Sequence, residues 1–142
     1  MSMWFQVAVD SRSPHDLADW WAATLDWKVE EQDEAFIRSM VQQGHATQEQ
    51  TTVHDGRLVW REGAAVVPRE EGTAARLLFQ LVPEGKTVKN RVHLDLRGLA
   101  PDDLPGYRDR LVERGATRLH EGRQGPHSWV TFTDPEGNEF CV

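Results

Sequence analysis

His93 and Asp95 stand two residues apart in Lys89-Asn90-Arg91-Val92-His93-Leu94-Asp95-Leu96, where strand alternation puts both side chains on one face. An imidazole titrates near neutrality, and a carboxylate beside it orients the ring or meets a ligand's polar group, so the two form a candidate proton-transfer pair. A hydrogen-bonded cleft histidine, with Asp95 ion-paired to Arg91 or Arg97, accounts for the same residues, and the sequence leaves both readings open. Val92, Leu94 and Leu96 on the other face are apolar and read as core.

A constant shift along the chain carries Trp4-Phe5-Gln6-Val7-Ala8-Val9-Asp10 onto this strand, with Phe5 on Val92, Gln6 on His93, Val7 on Leu94 and Val9 on Leu96. The same shift carries Leu17 to Leu104, Trp20 to Tyr107 and Leu25 to Val112. This is an internal repeat of architecture rather than of letters. It implies two strand–helix units around a shared cleft, with Gln6 and His93 at equivalent positions in it.

The chain has six tryptophans against one tyrosine. Trp20 and Trp21 fall at helix spacing and read as core, while Trp60 and Trp129 lie on strand patterns and are candidates to stack on a ligand. The one cysteine, Cys141, excludes an intrachain disulfide, fits a reducing compartment and reads as a small filler residue. His45, His54, His120 and His127 have no spacing that singles them out.

These residues need elements to hold them. Trp4 to Asp10 reads as a strand, and Ser13-Pro14-His15-Asp16 as a helix start, with Leu17, Trp20, Trp21, Thr24 and Leu25 on its buried face. Trp27 to Glu30 is a strand. Residues 33–43 read as a helix with no counterpart in the second half, hence an insertion. Leu58-Val59-Trp60 and Ala64 to Val67 read as two strands of a hairpin about Gly63, followed by a strand from Ala75 to Val82. In the second half a helix opens at Pro101 and Asp103, buries Leu104, Tyr107, Leu111 and Val112 and ends at Gly115. Thr117–Glu121 and His127–Thr133 then form a hairpin, Asp134 to Asn138 a turn and Glu139 to Val142 a strand. The expected class is α+β: two βαβββ modules, residues 3–82 and 90–142, with mostly antiparallel sheets in a single domain.

The formal net charge of −7 over 142 residues argues against a surface that tracks nucleic-acid phosphates, and suits solubility or a cationic ligand. No apolar run is long enough to span a membrane and no leader pattern opens the chain, so the expected compartment is the cytoplasm. No glycine-rich phosphate loop, nucleophile-elbow serine or paired-cysteine metal motif is present.

Three stretches together resemble the glyoxalase-like branch of the vicinal oxygen chelate superfamily, which includes glyoxalase I, bleomycin-resistance proteins, fosfomycin-resistance enzymes and extradiol dioxygenases. They are Leu78-Phe79-Gln80 through Pro83-Glu84-Gly85-Lys86, the string Lys89-Asn90-Arg91-Val92-His93-Leu94-Asp95, and Asp134-Pro135-Glu136-Gly137-Asn138-Glu139. The resemblance implies paired βαβββ modules and a homodimer. It also implies metal-ligand positions on the first and last strands of each module, which fall on Gln6, Gln80, His93 and Cys141. Gln80 and Cys141 stand where the metal-dependent enzymes generally carry glutamates. Two amides and an imidazole compensate little of a divalent ion's charge. The expectation is therefore a Trp-lined, acidic cleft without a metal, binding a small organic molecule through Gln6, Gln80, His93, Trp60 and Trp129. The alternative is one divalent ion, Zn, Ni, Mn or Fe, serving a lyase, isomerase or dioxygenase.

Overall fold

The computed structural model describes residues 1–142, which divide into two compact units, 1–84 and 85–142. The first contains β1 (Val7–Ser11), α1 (Pro14–Leu25), β2 (Lys28–Val29), α2 (Glu34–Gln42), β3 (Thr51–His54), β4 (Arg57–Trp60), β5 (Gly63–Val67) and β6 (Leu77–Leu81). The second contains β7 (Leu94–Asp95), α3 (Leu104–Glu113), β8 (Thr117–Gln124), β9 (His127–Thr133) and β10 (Glu139–Cys141). Each unit builds a four-stranded sheet to the same plan, β1-β6-β5-β2 in one and β7-β10-β9-β8 in the other. In both, the first strand pairs parallel with the last and the remaining pairs are antiparallel. The α+β class follows directly.

In the first unit, α1 opens with Pro14 in its first turn and closes on Asp26, which adopts the left-handed conformation at φ 53°. Ser11 at the end of β1 accepts from the Ser13 N–H at 3.0 Å, fixing the turn into the helix. Leu17, Ala18, Trp20 and Trp21 bury themselves over Ala64, Val66, Leu77 and Phe79, and the two indoles meet edge-on at 5.2 Å. The first strand is shorter than its hydrophobicity suggests. Its ladder with β6 begins at Val7 opposite Leu77, so Trp4 to Gln6 have no strand partner; Trp4 and Phe5 are 78% and 84% exposed.

The insertion between β2 and β5 is larger than a helix. The α2 helix forms as the sequence implies, with Asp33 capping it by accepting from the Phe36 N–H. The segment Leu58 to Trp60, however, pairs not with β5 but with Thr51 to His54 in a two-stranded sheet of its own. The cause is Asp55-Gly56, where both residues have positive φ, at 47° and 78°, as the tight hairpin turn matching strand twist requires. A lone two-stranded ribbon is marginal in water, and this one is tied to its unit at both ends. The Gln32 side chain accepts from the Trp60 N–H and donates to the Gly63 carbonyl, and His15 Nε2 donates to the Trp60 carbonyl at 2.8 Å. His54 Nε2 lies 2.6 Å from Asp19 of α1, with its ring stacked on His15. The Asp19 hydrogen bond holds the His54 pKa above the ordinary histidine value, against the opposing effect of desolvation.

In the second unit the core is Leu111, Ala116, Val130, Phe132 and Phe140, with the last two rings stacked at 5.8 Å. Val112, expected on the buried side of the helix, is exposed. Only Leu94 and Asp95 of the long alternating stretch form a strand, and Val92 is 79% exposed. The backbone before them is engaged elsewhere: the Asn90 N–H donates to the Glu139 carboxylate at 2.9 Å, while the Asn90 side chain accepts from the Glu139 N–H. Asp134 makes the turn into β10, its carboxylate accepting from the N–H groups of Glu136 and Asn138 and from the Asn138 amide. No helix is long and apolar enough to cross a membrane.

Candidate functional site

Strand alternation sorts the second sheet into two faces. Leu94, Val130, Phe132 and Phe140 turn one way, and His93, Asp95, Trp129, Thr131, Glu139 and Cys141 the other. On this second face the register aligns one residue from each strand in a single row, since Asp95 pairs with Cys141, Cys141 with Thr131 and Thr131 with His120. A shift in pairing between Arg118 and His120 brings His120 into that row. Above it lies a cavity of about 360 Å³ whose lining includes all four residues together with His93 and Trp129.

The pair read from the sequence forms: His93 Nδ1 lies 3.0 Å from Asp95 Oδ1. A carboxylate only accepts, so Nδ1 is the donor in this contact and Nε2 is the ring nitrogen outside it. The Cys141 thiol is 3.4 Å from the Thr131 hydroxyl. One ligating atom from each of His93, Asp95 and Cys141 can be chosen so that all lie within 4.8 Å of one another.

Trp129 is held by an absence. Gly122 faces it across the β8–β9 ladder, and a Cβ at that position would clash with the indole ring. The indole lies on the bare glycine backbone and forms a wall of the cavity.

The electrostatics run against the composition. Glu139 is bound by the Lys86 ammonium at 2.9 Å and by the Asn90 N–H. Burial pushes its pKa up, but these donors outweigh that effect and hold it below the usual carboxylate range. Asp95 is occupied by His93. Lys89 and Arg97 also line the cavity, are exposed, and make no ion pair. The lining is therefore not the acidic one that the overall charge suggests, because its acids are already matched within the unit.

The other residues singled out from the sequence lie in the first unit. Gln6 accepts from the Arg76 guanidinium at 2.9 Å, and Arg76 also grips Glu30. Gln80 pairs with Asp10 in the β1–β6 ladder. Gln6, just before β1, and Gln80, opposite Asp10, are thus four positions apart in register, roughly 13 Å along an extended chain. By the shared plan of the two sheets, the position that answers to Cys141 is Leu78, opposite Ala8, rather than Gln80. Trp60 lies on β4 of the inserted ribbon.

Sequence reasoning passed over His120, Thr131, Glu139, Lys89 and Gln124 as cavity residues. The alternation of residues 127–133 contained the signal for Thr131. The irregular pairing before His120 hid the rest of the row.

A family model described as glyoxalase-like domain matches residues 6–142. The fosfomycin resistance protein FosX from Mesorhizobium loti superposes with a TM-score of 0.63 at 9% identity, covering 99% of this chain and 90% of that one. A glyoxalase/bleomycin resistance protein/dioxygenase family enzyme from Burkholderia phytofirmans PsJN gives 0.60 at 11% identity, over 96% and 94% of the two chains. A glyoxalase/bleomycin resistance protein/dioxygenase from Alicyclobacillus acidocaldarius gives 0.55 at 12%, over 96% and 86%. At such identities these likenesses concern the fold. No curated protein matches the sequence significantly.

Proposed function

We propose, starting from a chain that belongs to the glyoxalase-like domain family, that the polar face of its second sheet binds a small organic molecule without the metal the family often uses. The observation that carries this reading is the register row Asp95, Cys141, Thr131 and His120 beneath a cavity of about 360 Å³ walled by Trp129. Ligand sites commonly enclose roughly 300–1,000 Å³ and combine an apolar wall with a few convergent polar groups. Here the indole supplies a flat surface. His93 Nε2, the Thr131 hydroxyl and the Cys141 thiol supply donors and acceptors that can orient a polar substituent.

The reading is tested by thermal-shift screening of wild type beside His93→Ala and Trp129→Ala. A ligand that binds only the folded state at 100 times its Kd adds about 2.7 kcal/mol, an effect expected to vanish in both variants. Ligands that stabilise all three proteins equally would place binding elsewhere.

One observation favours a second reading. The three ligating atoms of His93, Asp95 and Cys141 are close enough for a small closure of the site to bring them around a borderline ion such as Zn²⁺. When bound, such an ion would polarise a substrate carbonyl. On this reading His93 and Asp95 give up their mutual hydrogen bond to ligate. Elemental analysis of protein purified without chelator decides: one equivalent of metal, lost in both His93→Ala and Cys141→Ser, supports the metal site and overturns the metal-free reading.

A further inference from the structure

The charge on the cavity wall narrows what the second unit would bind, and the argument rests on the cavity reading above. Besides the Cys141 thiol, two acids, Asp95 and Glu139, and four bases, Lys89, His93, Arg97 and His120, line the space. Both acids are consumed inside the protein, Asp95 by His93 at 3.0 Å and Glu139 by Lys86 and the Asn90 N–H, each at 2.9 Å. Neither strong base has an acidic partner. The uncompensated charge facing a guest is therefore cationic, although the whole chain carries −7.

We infer that the cavity takes a flat organic acid, its anionic group met by Lys89 and Arg97 and its apolar body laid against the Trp129 indole. A free carboxylate is the complement of two unpaired bases, because a guanidinium and an ammonium donate to it without displacing an existing partner. A cationic guest would have to draw Asp95 away from His93, or Glu139 from Lys86, before gaining a contact. A neutral guest would gain the indole surface and nothing from the bases. Trp129 selects for flatness because its ring is seated on Gly122, so no side chain there can shift it. A pairwise electrostatic preference of this kind also weakens as salt rises.

Three probes that differ only in charge test the inference: 2-naphthoate, 2-naphthamide and 2-naphthylmethylammonium, titrated into the full chain with the Trp129 indole and His93 ring resonances followed by NMR. Naphthoate is expected to bind at least ten-fold more tightly than either of the others, with the advantage shrinking in high salt. The double variant Lys89→Ala/Arg97→Ala should erase the advantage, bringing naphthoate to the affinity of naphthamide, with the melting temperature unchanged because both side chains are exposed. If the three probes shift the same resonances with equal affinity, or the double variant keeps the preference for the acid, the inference is overturned and the cavity reading stands. If no probe perturbs Trp129 or His93, the cavity reading fails and the inference falls with it.

Discussion

The two units share a sheet plan and differ in what they put on one face of it. At the row where the second sheet carries Asp95, Cys141 and Thr131, the first carries Ala8, Leu78 and Ala65. The opposite faces stay alike, with Phe79 under α1 in one unit and Phe132 and Phe140 in the core of the other. Duplicating the backbone plan thus preserves the packing face, where volume is constrained, and frees the second face to diverge. The row is polar in one copy and apolar in the other.

The comparison can be pressed hardest at the cores. Phe79→Ala and Phe132→Ala each remove a ring with no exposed surface, and each is expected to cost about 3–5 kcal/mol in denaturant unfolding. A cost well under 1 kcal/mol in either would mean that the packing faces are not equivalent.

Next come the two glycines with no room for a methyl group. Gly63→Ala would set a Cβ 2.7 Å from the Phe79 carbonyl oxygen, which is backbone and cannot swing aside, whereas Gly122→Ala collides with the movable Trp129 indole. Overpacking costs about 1–3 kcal/mol. The larger loss of stability is expected for Gly63→Ala and the larger loss of ligand affinity for Gly122→Ala, read by melting and by titration.

Converting the polar row into its apolar counterpart, Asp95→Ala with Cys141→Leu and Thr131→Ala, is expected to weaken binding at the proposed site at least ten-fold while far-UV circular dichroism stays unchanged. Retained binding would move the site off this row.

Acid stability gives a smaller effect. The Glu139 pKa is held below its ordinary value of 4.5, so its contribution is present above that value and lost as pH falls through the depressed one. Glu139→Gln is expected to flatten that limb of the stability–pH curve. The smallest effect belongs to the inserted ribbon. His54 is raised above 6.5 by Asp19, so its contribution is full below pH 6.5 and disappears as pH rises through the elevated value. Exposed ion pairs are worth about 1 kcal/mol or less, and His54→Gln should remove a pH dependence of that order.

The repeat, both main helices and the α+β class were legible because periodicity is a local property, visible in Leu17, Trp20 and Trp21 or in Trp129, Thr131 and Thr133. The His93–Asp95 pair was legible for the same reason. The β3–β4 ribbon was not read because Leu58 to Trp60 was matched to Ala64 to Val67 about Gly63, while the turn at Asp55-Gly56 pairs it with Thr51 to His54. The row containing His120 was not legible, since register between strands depends on a pairing irregularity that leaves no trace in alternation. The ligand position that the resemblance implies on β6 falls on Gln80, whereas strand pairing aligns Leu78 with Cys141, because a motif match counts positions along one strand and pairing depends on its neighbour. The charge of the cavity was misjudged from composition, which counts Glu139 as free acid when Lys86 and Asn90 have claimed it.

The sheet plan also makes one strand decisive for the cavity. Because β10 lies between β7 and β9 yet follows both in the chain, a polypeptide emerging from the ribosome can zip β8 onto β9 early, while β7 waits for its neighbour. Asp95 and Cys141 meet only when β10 docks, so the cavity cannot be complete before that strand is in place. The β8–β9 hairpin alone therefore lacks the row, and a guest held over that row would report a docked β10 rather than the hairpin.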